Sequence, residues 1–136
     1  MAANKFRVKA RRELNIRWQR LEIKGETCPR CGSTESELEK AVRMLKKTLA
    51  SRGFSVHLEK VSITKSRFDK NPRESNRICF NGLTLEELLD ATSGSSKCCN
   101  VCGPKECRTV SISGKIYEAI PSSKIVEAGL IAASHT

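Results

Sequence analysis

Residues 34–53, TESELEKAVRMLKKTLASRG, decide how this chain folds. Leu38, Val42, Leu45 and Leu49 recur at helical spacing with Ala41 beside them, so one stripe is apolar and the remainder polar or charged. Thr34 with Glu37 reads as a capping box, acidic residues crowd the first turn and basic ones the last turns, and Gly53 stands where a left-handed cap is wanted. Strand patterns flank this helix. Upstream, Leu14, Ile16 and Trp18 alternate and Leu21 and Ile23 continue in the opposite phase, which predicts a strand over 14–23 that carries a bulge or is buried on both faces. Downstream, Phe54, Val56 and Leu58, then Val61 and Ile63, repeat the pattern. Strand, helix and strand form a βαβ unit, whose strands run parallel because the helix returns the chain to the same edge.

Beyond a polar connection containing Pro72, NRICFNG (76–82) reads as a short strand ending in an Asn-Gly turn, and LTLEELLDA (83–91) as a short helix capped by Thr84 with Glu87. TSGSS (92–96) reads as a Ser/Gly-rich linker that opens a cysteine-rich loop over 92–107. RTVSISGKIYEAI (108–120) predicts a hairpin turning at Ser113-Gly114, and Pro121 with Ser122 opens a last helix over 123–133. The expected fold class is α/β: a βαβ unit plus a C-terminal β-hairpin and helix, with an inserted cysteine-rich loop. A length of 136 residues suits one domain, 14–136, behind a basic tail, 1–13.

With 38% hydrophobic and 29% charged residues the composition is that of a soluble globular protein. No apolar run approaches the roughly 20 residues of a membrane span. MAANKFRVKARR is basic but is not followed by the apolar core of a secretory leader, so a cytoplasmic location is expected. In a reducing compartment seven cysteines point to metal binding or thiol chemistry rather than to a disulfide scaffold, and an odd number cannot pair completely. The net charge of +10 is unevenly placed, with Lys5, Arg7, Lys9, Arg11 and Arg12 clustered before the first strand; the cluster reads first as a solvated tail and second as a patch suited to an acidic protein partner. Nucleic acid is not the expected partner, because Phe6 is the sole aromatic of that tail.

Cys28 and Cys31 fall between the first strand and the first helix. Backbone N–H groups and the helix dipole favour an anion there, and Arg30 adds positive charge, so a thiolate forms readily. Such a pair can alternate between dithiol and disulfide without large motion, with Cys28 attacking and Cys31 resolving. CPRCG is equally the form of a zinc knuckle, and CNVCG (99–103) supplies a second, so the two could form one Cys₄ site. Against a compact ribbon, Cys31 and Cys99 lie much further apart than the usual 15 to 20 or so residues.

Cys98, Cys99, Cys102 and Cys107 form the second group, with Cys99 and Cys102 at the better ligand spacing. Four close thiolates can hold zinc, an iron–sulfur cluster or a soft ion such as Cu(I), with or without Cys28 and Cys31. They can also relay oxidation away from a Cys28–Cys31 disulfide. Lys97, Lys105 and Arg108 surround the group and favour thiolates. Cys79, inside an apolar strand, reads as a small core residue, Trp18 as a core anchor, and His57 and His135 have no companion at ligand spacing.

The order strand, TCPRC, amphipathic helix, strand, SNRICFNG resembles the thioredoxin-like superfamily, its glutaredoxin-sized members in particular. WQRLEIKGETCPRCG, ESNRICFNGLTLEELL, CCNVCGPKECRTV and GKIYEAIP together resemble a family of small prokaryotic cysteine-rich proteins grouped with that fold as a domain of unknown function. The resemblance implies a thioredoxin-like fold over 14–133 with Cys28 and Cys31 as the active pair. Thioredoxins place a cis-proline before the facing strand, whereas Ser75-Asn76-Arg77 stands here, and Asn76 is expected to be trans. The function expected is a thiol–disulfide oxidoreductase acting on a protein or small-molecule disulfide. Its alternative is a metal-thiolate protein without turnover.

Overall fold

A computed structural model describes residues 12–22, 25, 29–96 and 106–136. Strand β1 (Arg12–Leu21) is followed by helix α1 (Pro29–Ala50) and strand β2 (Phe54–Ile63). β1 and β2 pair in parallel in unbroken register from Arg12↔Phe54 to Leu21↔Ile63, so the phase change in both sequences is not a bulge. At the C-terminal end of β1 both faces are covered instead: Gln19 and Leu21 are buried on the face opposite Leu14, Ile16 and Trp18. Arg12 belongs to this strand rather than to the tail, with its guanidinium 5.7 Å from the centre of the Phe54 ring. The tail's other basic residues lie outside the described residues.

α1 begins at Pro29, earlier than the Thr34 capping box predicts. Proline's missing N–H and fixed φ suit a first helical turn. The helix ends as expected, with the Gly53 N–H donating to the Ala50 carbonyl and Gly53 at φ +80°. Its apolar stripe, Leu38, Ala41, Val42, Leu45 and Leu49, is buried. The polar connection after β2 holds a short helix, α2 (Lys65–Lys70), and a 3₁₀ turn (Pro72–Glu74). Thr64 caps α2 and Phe68 anchors it in the interior. Strand β3 (Arg77–Phe80) runs antiparallel to β1, and β4 (Leu83–Thr84) antiparallel to β3. Asn81 (φ +51°) and Gly82 (φ +88°) form the expected tight turn between them. Helix α3 (Leu85–Leu89) carries the Thr84/Glu87 capping box read from sequence. The central sheet therefore has the order β2-β1-β3-β4.

Thr92–Ser96 is strand β5, not a linker, and pairs antiparallel with β6 (Cys107–Ile112) from Thr92↔Ser111 to Ser96↔Cys107. Small polar residues of low strand propensity are carried here by the ladder they complete. The cysteine-rich loop is correspondingly shorter than 92–107, and its residues 97–105 lie outside the described residues. β6 turns at Ser113 (φ +51°) and Gly114 (φ +85°) into β7 (Lys115–Tyr117), completing a second, three-stranded sheet, β5-β6-β7. Helix α4 (Ser122–Ser134) closes the chain against α1. At Gly129 a Cβ would stand 2.7 Å from Leu45 Cδ1, so only glycine fits there without moving that side chain. Both sheets and the helices share one buried cluster, which makes the architecture α/β.

Candidate functional site

Cys31 sits in the first turn of α1 and is buried. The 3₁₀ turn delivers Ser75 against it, with Ser75 Oγ 3.6 Å from Cys31 Sγ. The same Oγ accepts the Leu21 N–H at 2.9 Å, which ties the end of β1 to this corner. A thiolate at Cys31 can only accept, and the Ser75 hydroxyl, with its proton still uncommitted to Leu21, can donate to it.

Asn76 follows in the left-handed region at φ +65°, a conformation asparagine tolerates better than most residues, and its peptide bonds are trans as expected. Its side chain is buried, with a partner at each polar atom. Trp18 Nε1 donates to Asn76 Oδ1 at 2.9 Å, and Asn76 Nδ2 donates to Thr34 Oγ1 at 3.0 Å. Thr34 Oγ1 also accepts the Ile120 N–H at 3.3 Å. Thr34 is thus no helix cap. It is a buried junction, one turn along α1 from Cys31, that joins the helix to the corner at 75–76 and to the segment before α4. Glu37 likewise works across the fold: its Oε1 accepts the Ser122 N–H at 2.8 Å, capping α4, whose own capping position is Pro121. That bond, with help from Lys40, holds the Glu37 carboxyl below its ordinary value. Glu35 and Glu39 do not line the first turn either. Both bind Lys60 of β2, at 2.8 and 2.6 Å, which keeps the Lys60 amine protonated to higher pH and the Glu39 carboxyl ionised to lower pH.

Cys107 opens β6, buried and opposite Ser96. The next residue, Arg108, is also buried, and its Nε donates to the Arg73 carbonyl at 2.6 Å while Nη1 pairs with Glu86. Burial makes the Arg108 guanidinium a weaker base than usual, and Glu86 opposes that effect. Arg73 in return donates to the Ser93 carbonyl of β5 at 3.3 Å. The base of the cysteine-rich loop is therefore fastened to the same 3₁₀ turn that presents Ser75 to Cys31. Cys28, Cys98, Cys99 and Cys102 lie outside the described residues, and among the described residues no three Cys, His, Asp or Glu side chains converge as metal ligands. Cys79 departs from expectation. It faces away from the apolar layer, half-buried beside Arg17 and Arg77, and burial raises its thiol pKa.

Sequence reasoning singled out Cys31 and named Ser75-Asn76 as standing where thioredoxins carry the cis-proline, but it did not foresee the contacts those two residues make and read Thr34 as a helix cap. The one available signal was an asparagine just ahead of a strand, where a left-handed residue turns the chain. Nothing local marks Thr34 as buried.

Residues 14–129 match a family described as "Domain of unknown function (DUF2703)". An "Uncharacterized protein" of Archaeoglobus fulgidus is 39% identical over 113 residues, spanning 83% of this chain and 82% of the relative. No solved structure matches the chain.

Proposed function

The chain belongs to the family described as a domain of unknown function, DUF2703, and from that premise we infer that it is a thiol–disulfide oxidoreductase of thioredoxin-like fold using Cys28 and Cys31. The observation that carries the reading is the buried 3.6 Å contact between Cys31 Sγ at the start of α1 and Ser75 Oγ on the turn before β3. The superfamily resemblance puts the redox pair opposite that turn. The sheet supports the same reading, with β1 central, β2 parallel to it on one side and antiparallel β3 and β4 on the other.

In the forward half-reaction the Cys28 thiolate attacks one sulfur of a protein or small-molecule disulfide, forming a mixed disulfide and expelling the other sulfur as a thiolate. Cys31 then attacks the Cys28 sulfur, breaks the mixed disulfide and leaves a Cys28–Cys31 disulfide. Two electrons pass to the substrate, and an external dithiol returns them. Ser75 donates a hydrogen bond to the Cys31 thiolate at the second step. The test is reduction of a small aromatic disulfide by the full chain with a dithiol donor. Cys28→Ser abolishes turnover and Cys31→Ser halts it at the mixed disulfide; equal rates in wild type and Cys28→Ser would sink the reading.

A second reading, metal-thiolate binding by Cys98, Cys99, Cys102 and Cys107, is favoured by the burial of Cys107 at the anchored base of the loop. Anaerobic purification followed by metal analysis and an absorption spectrum separates zinc, an iron–sulfur cluster and free thiols. Protein without stoichiometric metal removes this second reading. Among the described residues no helix is long and apolar enough to cross a membrane.

A further inference from the structure

The side of the central sheet turned away from α1 and α4 carries a groove of about 440 Å³ lined by Arg17, Gln19, Arg67, Arg77, Cys79 and Glu59, with the Asn81-Gly82 turn at one end. Register explains the grouping. Arg17 stands directly opposite Cys79 on β3 and Glu59 on β2, and Gln19 opposite Arg77, so these side chains project from one face. α2 and the 3₁₀ turn close that face at the Gln19 end, where Gln19 Nε2 donates to the Glu74 carbonyl at 2.9 Å. The groove is what so short a second layer leaves open. Its volume falls in the range of small-molecule sites, about 300–1,000 Å³.

Three guanidinium groups face one carboxylate in its lining. Glu74, beside the groove, neutralises Arg67 at 2.5 Å. Arg17 and Glu59 are only loosely paired, at 4.0 Å with both side chains largely exposed. Arg77 is the group left wanting: its Nε is buried and, among the described residues, has no hydrogen-bond partner. A buried donor left unsatisfied is costly, and an oxyanion satisfies a guanidinium with two parallel bonds. Burial also keeps the Cys79 thiol protonated, so it adds no negative charge.

We propose that this groove binds a small oxyanion-bearing molecule, a phosphate or a carboxylate, held by Arg77 and Arg17. The site is separate from the Cys31 corner and does not depend on the redox reading. The test uses the full chain, ¹⁵N-labelled, with the arginine Nε–H signals followed by NMR during titration with inorganic phosphate, with succinate, and with sodium chloride at matched ionic strength. Saturable shifts at Arg77 and Arg17 with either anion, absent with chloride, are expected, with half-saturation in the millimolar range or below. Saturation by phosphate alone assigns a phosphoryl ligand, and by succinate alone a carboxylate. Arg77→Gln weakens binding at least tenfold, and Arg52→Gln, outside the groove lining, leaves it unchanged. Should Arg77→Gln fail to fold, Arg17→Gln replaces it, since Arg17 is largely exposed. Unsaturable shifts, shifts equal to those in chloride, or undiminished binding by the groove variants overturn the proposal.

Discussion

The two faces of the central sheet differ although the same strands build both. One carries Leu14, Ile16 and Trp18 from β1 and Ile78 and Phe80 from β3, all buried under α1 and α4. The other carries Asn15, Arg17 and Gln19 with Arg77 and Cys79, and most of it opens into the arginine groove. Alternation along a strand sets which residues share a face, and the length of the covering helix sets whether that face becomes core or surface. α1 spans 22 residues and α2 only 6, so the same sheet supplies a core on one side and a groove on the other. The faces meet at the C-terminal end of β1, where both are covered. The Cys31–Ser75 contact is placed there.

The contrast breaks most sharply on the apolar side. Ile16→Ala removes a buried side chain beneath α1 and α4 and is expected to cost about 4 kcal/mol in denaturant unfolding. Asn76→Ala is expected to cost about 3 kcal/mol, because it strands the Trp18 indole N–H and places alanine at a left-handed position. Trp18 is the only tryptophan, so its emission reports that loss directly. Ser75→Ala, at the corner where the faces meet, strands the Leu21 N–H and is expected to cost about 1–2 kcal/mol while still folding, and to slow turnover about tenfold at neutral pH, with the pH–rate profile moved to higher pH. Restoration by Ser75→Thr separates that effect from a packing defect.

Glu37→Gln tests the cap that α1 supplies to α4. Because the folded-state carboxyl titrates below its ordinary value, its stabilisation is present above about pH 4.3 and is lost as the pH falls through the folded-state value. The melting temperature of Glu37→Gln is therefore expected to lie below wild type at pH 7 and to converge with it in acid. The smallest effect belongs to the open face: Arg17→Ala is expected within about 0.5 kcal/mol of wild type. A larger loss would show that Arg17 is structural and weaken the contrast between the faces.

Much of this architecture was legible locally. The α1 stripe, the parallel β1 and β2, the Asn81-Gly82 and Ser113-Gly114 turns, the Thr84/Glu87 box and the last helix all follow from periodicity or turn chemistry, which act over a few residues. The misreadings share one cause. Thr34, Glu35, Glu37 and Glu39 look like a helix start because hydroxyls and carboxylates suit one, yet their partners are Asn76, Lys60 and Ser122 on other elements. Thr92–Ser96 has the composition of a linker and becomes a strand because β6 offers it a ladder. Cys79 looks apolar by its neighbours in sequence and sits among arginines by its register.

The sequence alone therefore determined the α/β class, the parallel pair joined by an amphipathic helix, and Cys31 as a thiol at the start of that helix, since each rests on spacing within one segment. The tertiary structure alone decided that Ser75 meets Cys31, that Asn76 is locked between Trp18 and Thr34, that the base of the cysteine-rich loop is fastened to the same turn, and that an arginine groove opens opposite the helices. Those contacts join residues distant along the chain, and their energies exist only once folding has excluded water and closed the distance between them.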